Sequence, residues 1–245
     1  KPKMKPGMGP ISHEKGTTFR VWAPNAQKVF VTGDFNDWND SANPLTHEGE
    51  GYWATDVARA KPGDEYKFVL INGEQKYYRI DPYARQVTNS VGNSVIHDPE
   101  FDWQGTEAFH SPPWNELIIY EVHIGTFNPT TESRVGTFKR AAQKLPYLRE
   151  LGVNAVQVMP PMEFPGGRSW GYNLSLPFAV ESDYGGPKAF KEFIRAAHKN
   201  GIAVILDVVY NHLGPSDLDL WRFDGWSEND GGGIYFYNDH RSQTP

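Results

Sequence analysis

The chain has 245 residues, a net charge of −6 and no cysteine. Such a length allows one or two domains with a sizeable core, and the absence of thiols excludes disulfides and thiolate metal sites. The two signs of charge are interspersed, so neither nucleic acid nor an anionic membrane is an expected partner. No apolar run is long enough to span a bilayer and no leader-like stretch opens the chain, so a cytoplasmic protein is expected.

From residue 16 to 97 the sequence consists of short runs rich in β-branched and aromatic residues, broken by turn signals. Residues 17–22, 28–33, 51–57 and 65–71 read as strands, and Asn72-Gly73 is a hairpin signal after the last of them. Strands at this spacing predict a β-sandwich of immunoglobulin-like size. His110, Pro112 and Pro113 mark a linker. The expected domains are therefore 1–109, the sandwich, and 110–245.

After Trp114 the pattern changes to apolar strands alternating with amphipathic helices, which predicts βαβ units and a parallel sheet. Residues 118–124 form the first strand. Phe138, Ala141, Ala142, Leu145 and Leu148 share one helical face, Pro146 breaks or restarts that helix, and Gly152 ends it. The second strand is 155–159. Pro187 opens the next helix, Phe190, Ile194 and Ala197 line it, and Asn200-Gly201 closes it. The third strand, 202–209, is almost continuously apolar, as a parallel strand covered on both faces requires.

That strand runs into Asp207-Val208-Val209-Tyr210-Asn211-His212. An Asp at such a position is either a site carboxylate or an acceptor that ties down the following loop. With Tyr120-Glu121-Val122-His123, Gly171-Tyr172 and Tyr184-Gly185, this segment resembles the α-amylase family of glycoside hydrolases. The resemblance implies a (β/α)₈ catalytic TIM barrel, of which only the first three βα units are present. Its active site would lie at the C-terminal strand ends. Val21-Trp22-Ala23-Pro24-Asn25, Gly33-Asp34-Phe35-Asn36-Asp37-Trp38 and Asp64-Glu65-Tyr66-Lys67-Phe68 resemble the glycogen-associated sandwich that precedes such barrels in branching enzymes and their relatives.

The resemblance implies substrate contacts at Tyr172, a ring stacked on the sugar at the cleavage subsite, at Asp207, and at His212, which would bond a sugar hydroxyl. Trp38 and Lys67 fall where glycogen-binding relatives of the sandwich place sugar contacts, with Lys76 or Tyr77 standing where a second stacking Trp occurs. Glu121 and His123 are supporting residues at most. Glu163 is not expected to be a catalytic acid partnering Asp207. No metal, at Asn211 or elsewhere, and no cofactor are expected.

Retaining glycoside chemistry needs a carboxylate nucleophile and a carboxylic acid roughly 5 Å apart. In the family both lie on later barrel strands, so they are expected beyond Pro245, and the chain alone is expected to be inactive. Three strands leave open edges, and the remainder of the barrel is an expected partner, in the same or a separate chain. The implied substrate is an α-1,4-glucan such as glycogen, amylose or a malto-oligosaccharide. The branching-enzyme group is the leading reading. The maltooligosyltrehalose trehalohydrolase group is the rival, on residues 122–127, 159–166 and 210–215, and a non-catalytic glycan-binding module is the alternative from another class.

Overall fold

The computed structural model describes residues 6–131 and 134–242. The chain forms two compact units, one made of Lys1–Asp98 with Asp217–Pro245 and the other of Pro99–Ser216.

The first unit is an antiparallel sandwich. Its strands are β1 (Gly9–His13), β2 (Gly16–Trp22), β3 (Lys28–Gly33), β4 (Thr46–Gly49), β5 (Tyr52–Val57), β6 (Glu65–Asn72), β7 (Gln75–Arg79) and the short β8 (Ser94–Val95). One sheet has the order β1-β2-β5-β4; the other has β3-β6-β7, with β8 paired to β6. All four strands expected from sequence are present. Of the other four, β7 follows the hairpin signal, β8 is two residues long, and β1 and β4 are the edges of their sheet, where little burial imposes no apolar alternation. The β6–β7 turn centres on Gly73-Glu74, because Asn72 already pairs with Gln75.

Period-2 geometry aims Tyr66, Phe68 and Leu70 of β6 inward, against Phe19, Val21 and Val31. Tyr66 sits edge-on to Phe19 with ring centroids 4.9 Å apart. Its hydroxyl donates to Asp81 at 2.7 Å. The same core includes Phe223, fully buried and contributed from beyond residue 216. By contacts the first unit runs to Asp98 and resumes at Asp217, so residues beyond 216 pack with the sandwich.

In the second unit, β9 (Ile119–Val122), β10 (Ala155–Val158) and β11 (Ala203–Leu206) form a parallel sheet in the order β11-β10-β9. The helices are α1 (Phe138–Ala142), α2 (Leu145–Glu150) and α3 (Gly186–Lys199). Pro146 lies in the first turn of α2, where its missing N–H costs nothing, so it restarts the helix rather than kinking it. The Thr137 hydroxyl caps α1 by accepting from the Arg140 N–H at 3.3 Å. Val122, Val156 and Val158 meet Phe138, Leu145, Leu148, Phe190 and Phe193 in one core.

β11 is shorter than the expected 202–209, and among the described residues it is not covered on both faces: Leu206 and Val208 are 39% and 40% exposed. The ladder ends there, although the Asp207 N–H still donates to the Val158 carbonyl at 3.1 Å.

Phe138 is fully buried, with its ring centroid 4.8 Å from that of Phe190 and 5.9 Å from that of Phe193. Phe138→Ala is expected to cost about 3–5 kcal/mol, against less than about 0.5 kcal/mol for Ala at the exposed Leu151. Denaturant unfolding followed by far-UV circular dichroism compares the two.

Candidate functional site

The parallel sheet brings the C-terminal ends of β10 and β11 side by side, since Val158 pairs with Leu206. The loop after β10 carries Tyr172, and the segment after β11 carries Asp207 and His212. The Tyr172 hydroxyl donates to Asp207 Oδ2 at 2.7 Å. That bond, with smaller contributions from burial and from the charges of Asp207 and Glu121, pushes the phenol up to about 12, so it is a proton donor at any ordinary pH. His212 Nε2 lies 2.6 Å from the Tyr172 carbonyl oxygen. A carbonyl only accepts, so Nε2 carries the proton and Nδ1 accepts from Asn211 Nδ2 at 2.6 Å. The structure thus brings together all three residues expected in the barrel part. The Tyr172 ring remains 41% exposed and His212 is exposed, so both are open to a ligand.

Local backbone explains the placement of Tyr172. Gly171 has φ 90°, and a Cβ there would stand 1.9 Å from the Pro160 carbonyl oxygen, so only glycine admits this turn. Ser169 Oγ accepts the Gly171 N–H at 3.0 Å and meets the Asn173 side chain. His123 on the neighbouring loop donates from Nε2 to the Ser169 carbonyl at 2.7 Å. It therefore supports the loop that carries Tyr172. Glu121 accepts from Gln157 at 3.1 Å across the β9–β10 pair.

Beside this cluster lies a cavity of about 550 Å³ lined by Thr126, Arg134, Arg168, Trp170 and Tyr184 among others. Of these, Arg134, Arg168 and Trp170 carry no role in the sequence reading. Trp170, 71% exposed, is two residues before Tyr172 in a glycine-bearing loop, and that neighbourhood was the available signal.

Glu163 is 1% exposed and makes no contact with Asp207 among the described residues. It forms a reciprocal clamp with Glu181, also 1% exposed. Glu163 accepts from the Ser182 N–H at 2.8 Å and its hydroxyl at 3.3 Å. Glu181 accepts from the N–H groups of Phe164 at 3.2 Å and Asp183 at 3.1 Å. Each side chain thus ties the segment that carries the other. Burial pushes Glu163 up to about 7, and burial together with the neighbouring Glu163 charge pushes Glu181 up to about 8.

In the sandwich, Asp34 accepts from Trp38 Nε1 at 3.0 Å and from the Glu65 N–H at 2.8 Å, while Phe35 enters the core. This web holds Trp38 at φ 59° with 40% of its surface exposed. Lys67 is half-buried opposite Thr32, on the face of β6 away from the core. No contact joins Trp38 to Lys67 among the described residues. Lys76 is paired with Asp40 at 2.7 Å, and the Tyr77 ring packs under Arg79, so neither replaces a free stacking Trp. The exposed ring on β7 is Tyr78.

Among the described residues no three His, Asp or Glu side chains are grouped to hold a metal, and no helix is long and apolar enough to cross a membrane.

Residues 7–84 match carbohydrate-binding module 48, the isoamylase N-terminal domain, and residues 121–225 match the alpha amylase catalytic domain. Fold and site thus define a protein class: a carbohydrate-binding-module sandwich followed by the N-terminal part of an amylase-type catalytic barrel. The chain belongs to the α-amylase family of glycoside hydrolases.

It is 40% identical over 203 residues to a malto-oligosyltrehalose trehalohydrolase of Saccharolobus solfataricus, covering 82% of this chain and 34% of that protein. It is 35% identical to the 1,4-alpha-glucan branching enzyme GlgB of Oceanobacillus iheyensis, covering 86% and 35%. A crystal structure of a putative alpha amylase from Salmonella typhimurium superposes with a TM-score of 0.77 at 38% identity, over 89% of this chain and 35% of that one. The chain spans about a third of the length of these relatives.

The Glu163–Glu181 clamp sets a pH dependence. Both groups have folded-state values above the ordinary carboxyl value of 4.5, so their stabilisation is fully present below about pH 4.5 and is lost as pH rises through about 7 and 8. Glu163→Gln and Glu181→Gln keep an acceptor oxygen without the charge. The melting temperature of each variant relative to the parent is expected to rise between pH 5 and 8.5, by the equivalent of at most roughly 3 kcal/mol for Glu163→Gln and roughly 4 kcal/mol for Glu181→Gln. Differential scanning calorimetry across that range measures it.

Proposed function

We propose that this chain is the front part of a retaining enzyme acting on α-1,4-glucans. The observation that carries the reading is the Tyr172–Asp207–His212 cluster at adjacent C-terminal strand ends. A flat ring beside a carboxylate and an imidazole is suited to one face of a distorted pyranose, the ring taking its C–H surface and the polar groups its hydroxyls. The nucleophile and acid are contributed by other sequence, and the 245-residue chain by itself does not turn glucan over.

For the acceptor the first reading is a sugar 6-hydroxyl, which makes the reaction branching. The second is water, as in a trehalohydrolase, and identities of 40% and 38% to two malto-oligosyltrehalose trehalohydrolases favour it. The candidate glucan contacts of the sandwich are Trp38 and Lys67.

In a polypeptide containing the whole barrel, Tyr172→Ala is expected to lower kcat/KM on maltoheptaose by about 10²–10³-fold, and Tyr172→Phe, which keeps the ring, by roughly tenfold. Unchanged turnover in Tyr172→Ala refutes the site. Incubation with amylose and with a maltooligosyltrehalose separates the acceptors: falling iodine colour with new α-1,6 links means branching, and released trehalose means hydrolysis. Titration calorimetry of the 245-residue chain with maltoheptaose addresses the binding-module alternative, which predicts affinity that Trp38→Ala abolishes and Tyr172→Ala leaves intact.

A further inference from the structure

The cavity of about 550 Å³ is lined entirely from two loops, the one that follows β9 and the one that follows β10. These strands pair in parallel, with Val122 opposite Val158, so both loops start at the sheet edge where barrels of this class bind ligands. The volume lies within the range of small-molecule sites, roughly 300–1,000 Å³.

Most polar groups of the wall are bonded to one another. His123 donates from Nε2 to the Ser169 carbonyl at 2.7 Å, and its Nδ1 accepts from the Thr126 hydroxyl at 2.9 Å. The Gly136 N–H donates to the Gly125 carbonyl at 2.8 Å, and the Phe138 N–H to the Tyr184 carbonyl at 3.1 Å. The loops are thereby fastened to each other, and a Cβ at Gly125 would stand 2.8 Å from the Tyr184 hydroxyl oxygen.

The two arginines differ from these groups. Arg134 enters from the first loop and Arg168 from the second, both exposed, and no carboxylate lines the cavity. Asp183 lies against Gly167 without forming part of the lining. Among the described residues neither arginine forms an ion pair or a hydrogen bond through its side chain. Beside Arg168 the Trp170 ring is 71% exposed. Each guanidinium presents a fixed fork of N–H donors that fits phosphoryl oxygens, and a phosphomonoester, at about −1.5 to −2, matches two such cations better than a single carboxylate does. An uncovered indole face suits the C–H surface of a pyranose.

We propose that this cavity is a phosphosugar site, in which Arg134 and Arg168 take a phosphomonoester and Trp170 stacks on the pyranose that bears it. The ligand is a free hexose phosphate or a phosphorylated residue within a glucan chain. The second source rests on the functional reading above; the site itself does not.

The test is isothermal titration calorimetry of the 245-residue chain, with glucose 6-phosphate in one arm and maltoheptaose carrying a 6-phosphoryl group in the other. Glucose, maltoheptaose and inorganic phosphate are the comparison ligands. At least one phosphosugar is expected to bind with a Kd of about 1 mM or tighter and more tightly than its unphosphorylated counterpart. Arg134→Ala and Arg168→Ala are each expected to weaken it by at least about tenfold, and Arg168→Lys, which keeps the charge without the fork, by less. Trp170→Ala is expected to weaken the phosphosugar several-fold and to leave inorganic phosphate as it was. Arg149→Ala, on the exposed surface of α2, is the control for general charge and is expected to change nothing.

Binding of glucose 6-phosphate supports the site with a free ligand as its source, and binding of the phosphorylated maltoheptaose alone supports it with the glucan as its source. Binding of neither overturns it, as does equal affinity for phosphorylated and unphosphorylated sugar. An Arg149→Ala loss as large as that of Arg168→Ala overturns it in favour of non-specific attraction. Inorganic phosphate bound as tightly as the phosphosugar, with Trp170→Ala indifferent, overturns the sugar half and with it the proposal. The replaced side chains are exposed, and far-UV circular dichroism checks that each variant is folded. Absence of glucan turnover in the polypeptide containing the whole barrel refutes the functional reading and leaves the glucose 6-phosphate arm to decide the site.

Discussion

The parallel pairing of Ala155–Val158 with Ala203–Leu206 is the constraint on which the site depends. Parallel strands finish at the same edge of a sheet, so the loops that follow them start as neighbours although about 50 residues of chain separate them. The Asp207 N–H bond to the Val158 carbonyl extends that pairing one residue past the ladder and sets the backbone from which the carboxylate projects. The Tyr172 hydroxyl then meets a carboxylate whose position the sheet has already determined. The helices matter through the same sheet: Phe138, Phe190 and Phe193 press on Val156 and Val158 and hold the central strand.

The long loop after β10 would carry Tyr172 with little precision if only its ends were held. It is pinned at several points along its length. Gly171 passes against Pro160, Ser169 is gripped by His123, and the Glu163–Glu181 exchange binds the loop's beginning to its end. Two buried carboxylates facing one another are costly unless they hold protons or accept from many donors, and both features are present here. A group that resembles a catalytic acid in the sequence is thereby a fastening in the fold. Burial makes the difference, since Glu163 is only 1% exposed and its carboxyl is taken up by the N–H and hydroxyl of Ser182.

The sandwich shows the same economy in its own motif. Asp34, Phe35, Asn36 and Trp38 are close in sequence because one tight turn uses each: Asp34 for two N–H donors, Phe35 for the core, Asn36 for the Gly33 N–H and Trp38 for the surface. Exposed Trp38 and Tyr78 are the rings this module offers to solvent on that part of its surface. The ring that sequence comparison suggests, Tyr77, is turned toward Arg79 and Gly225, because alternation along β7 sends it to the opposite side from Lys76 and Tyr78.

Periodicity and turn chemistry in the amino-acid sequence determined the central strands β2, β3, β5 and β6, the three parallel strands, the restart at Pro146 and the helix over 186–199, since these elements are dictated by local burial pattern and by backbone freedom at single residues. The motif residues Tyr172, Asp207 and His212 were legible for the same reason. Tertiary structure alone decided the edge strands β1 and β4, whose solvation leaves no pattern, and the pairing of Glu163 with Glu181. It alone also decided that Phe223 and Asp224 complete a core begun about 200 residues earlier. Contacts between residues so far apart follow from how completed surfaces fit one another, and no window of sequence contains both partners.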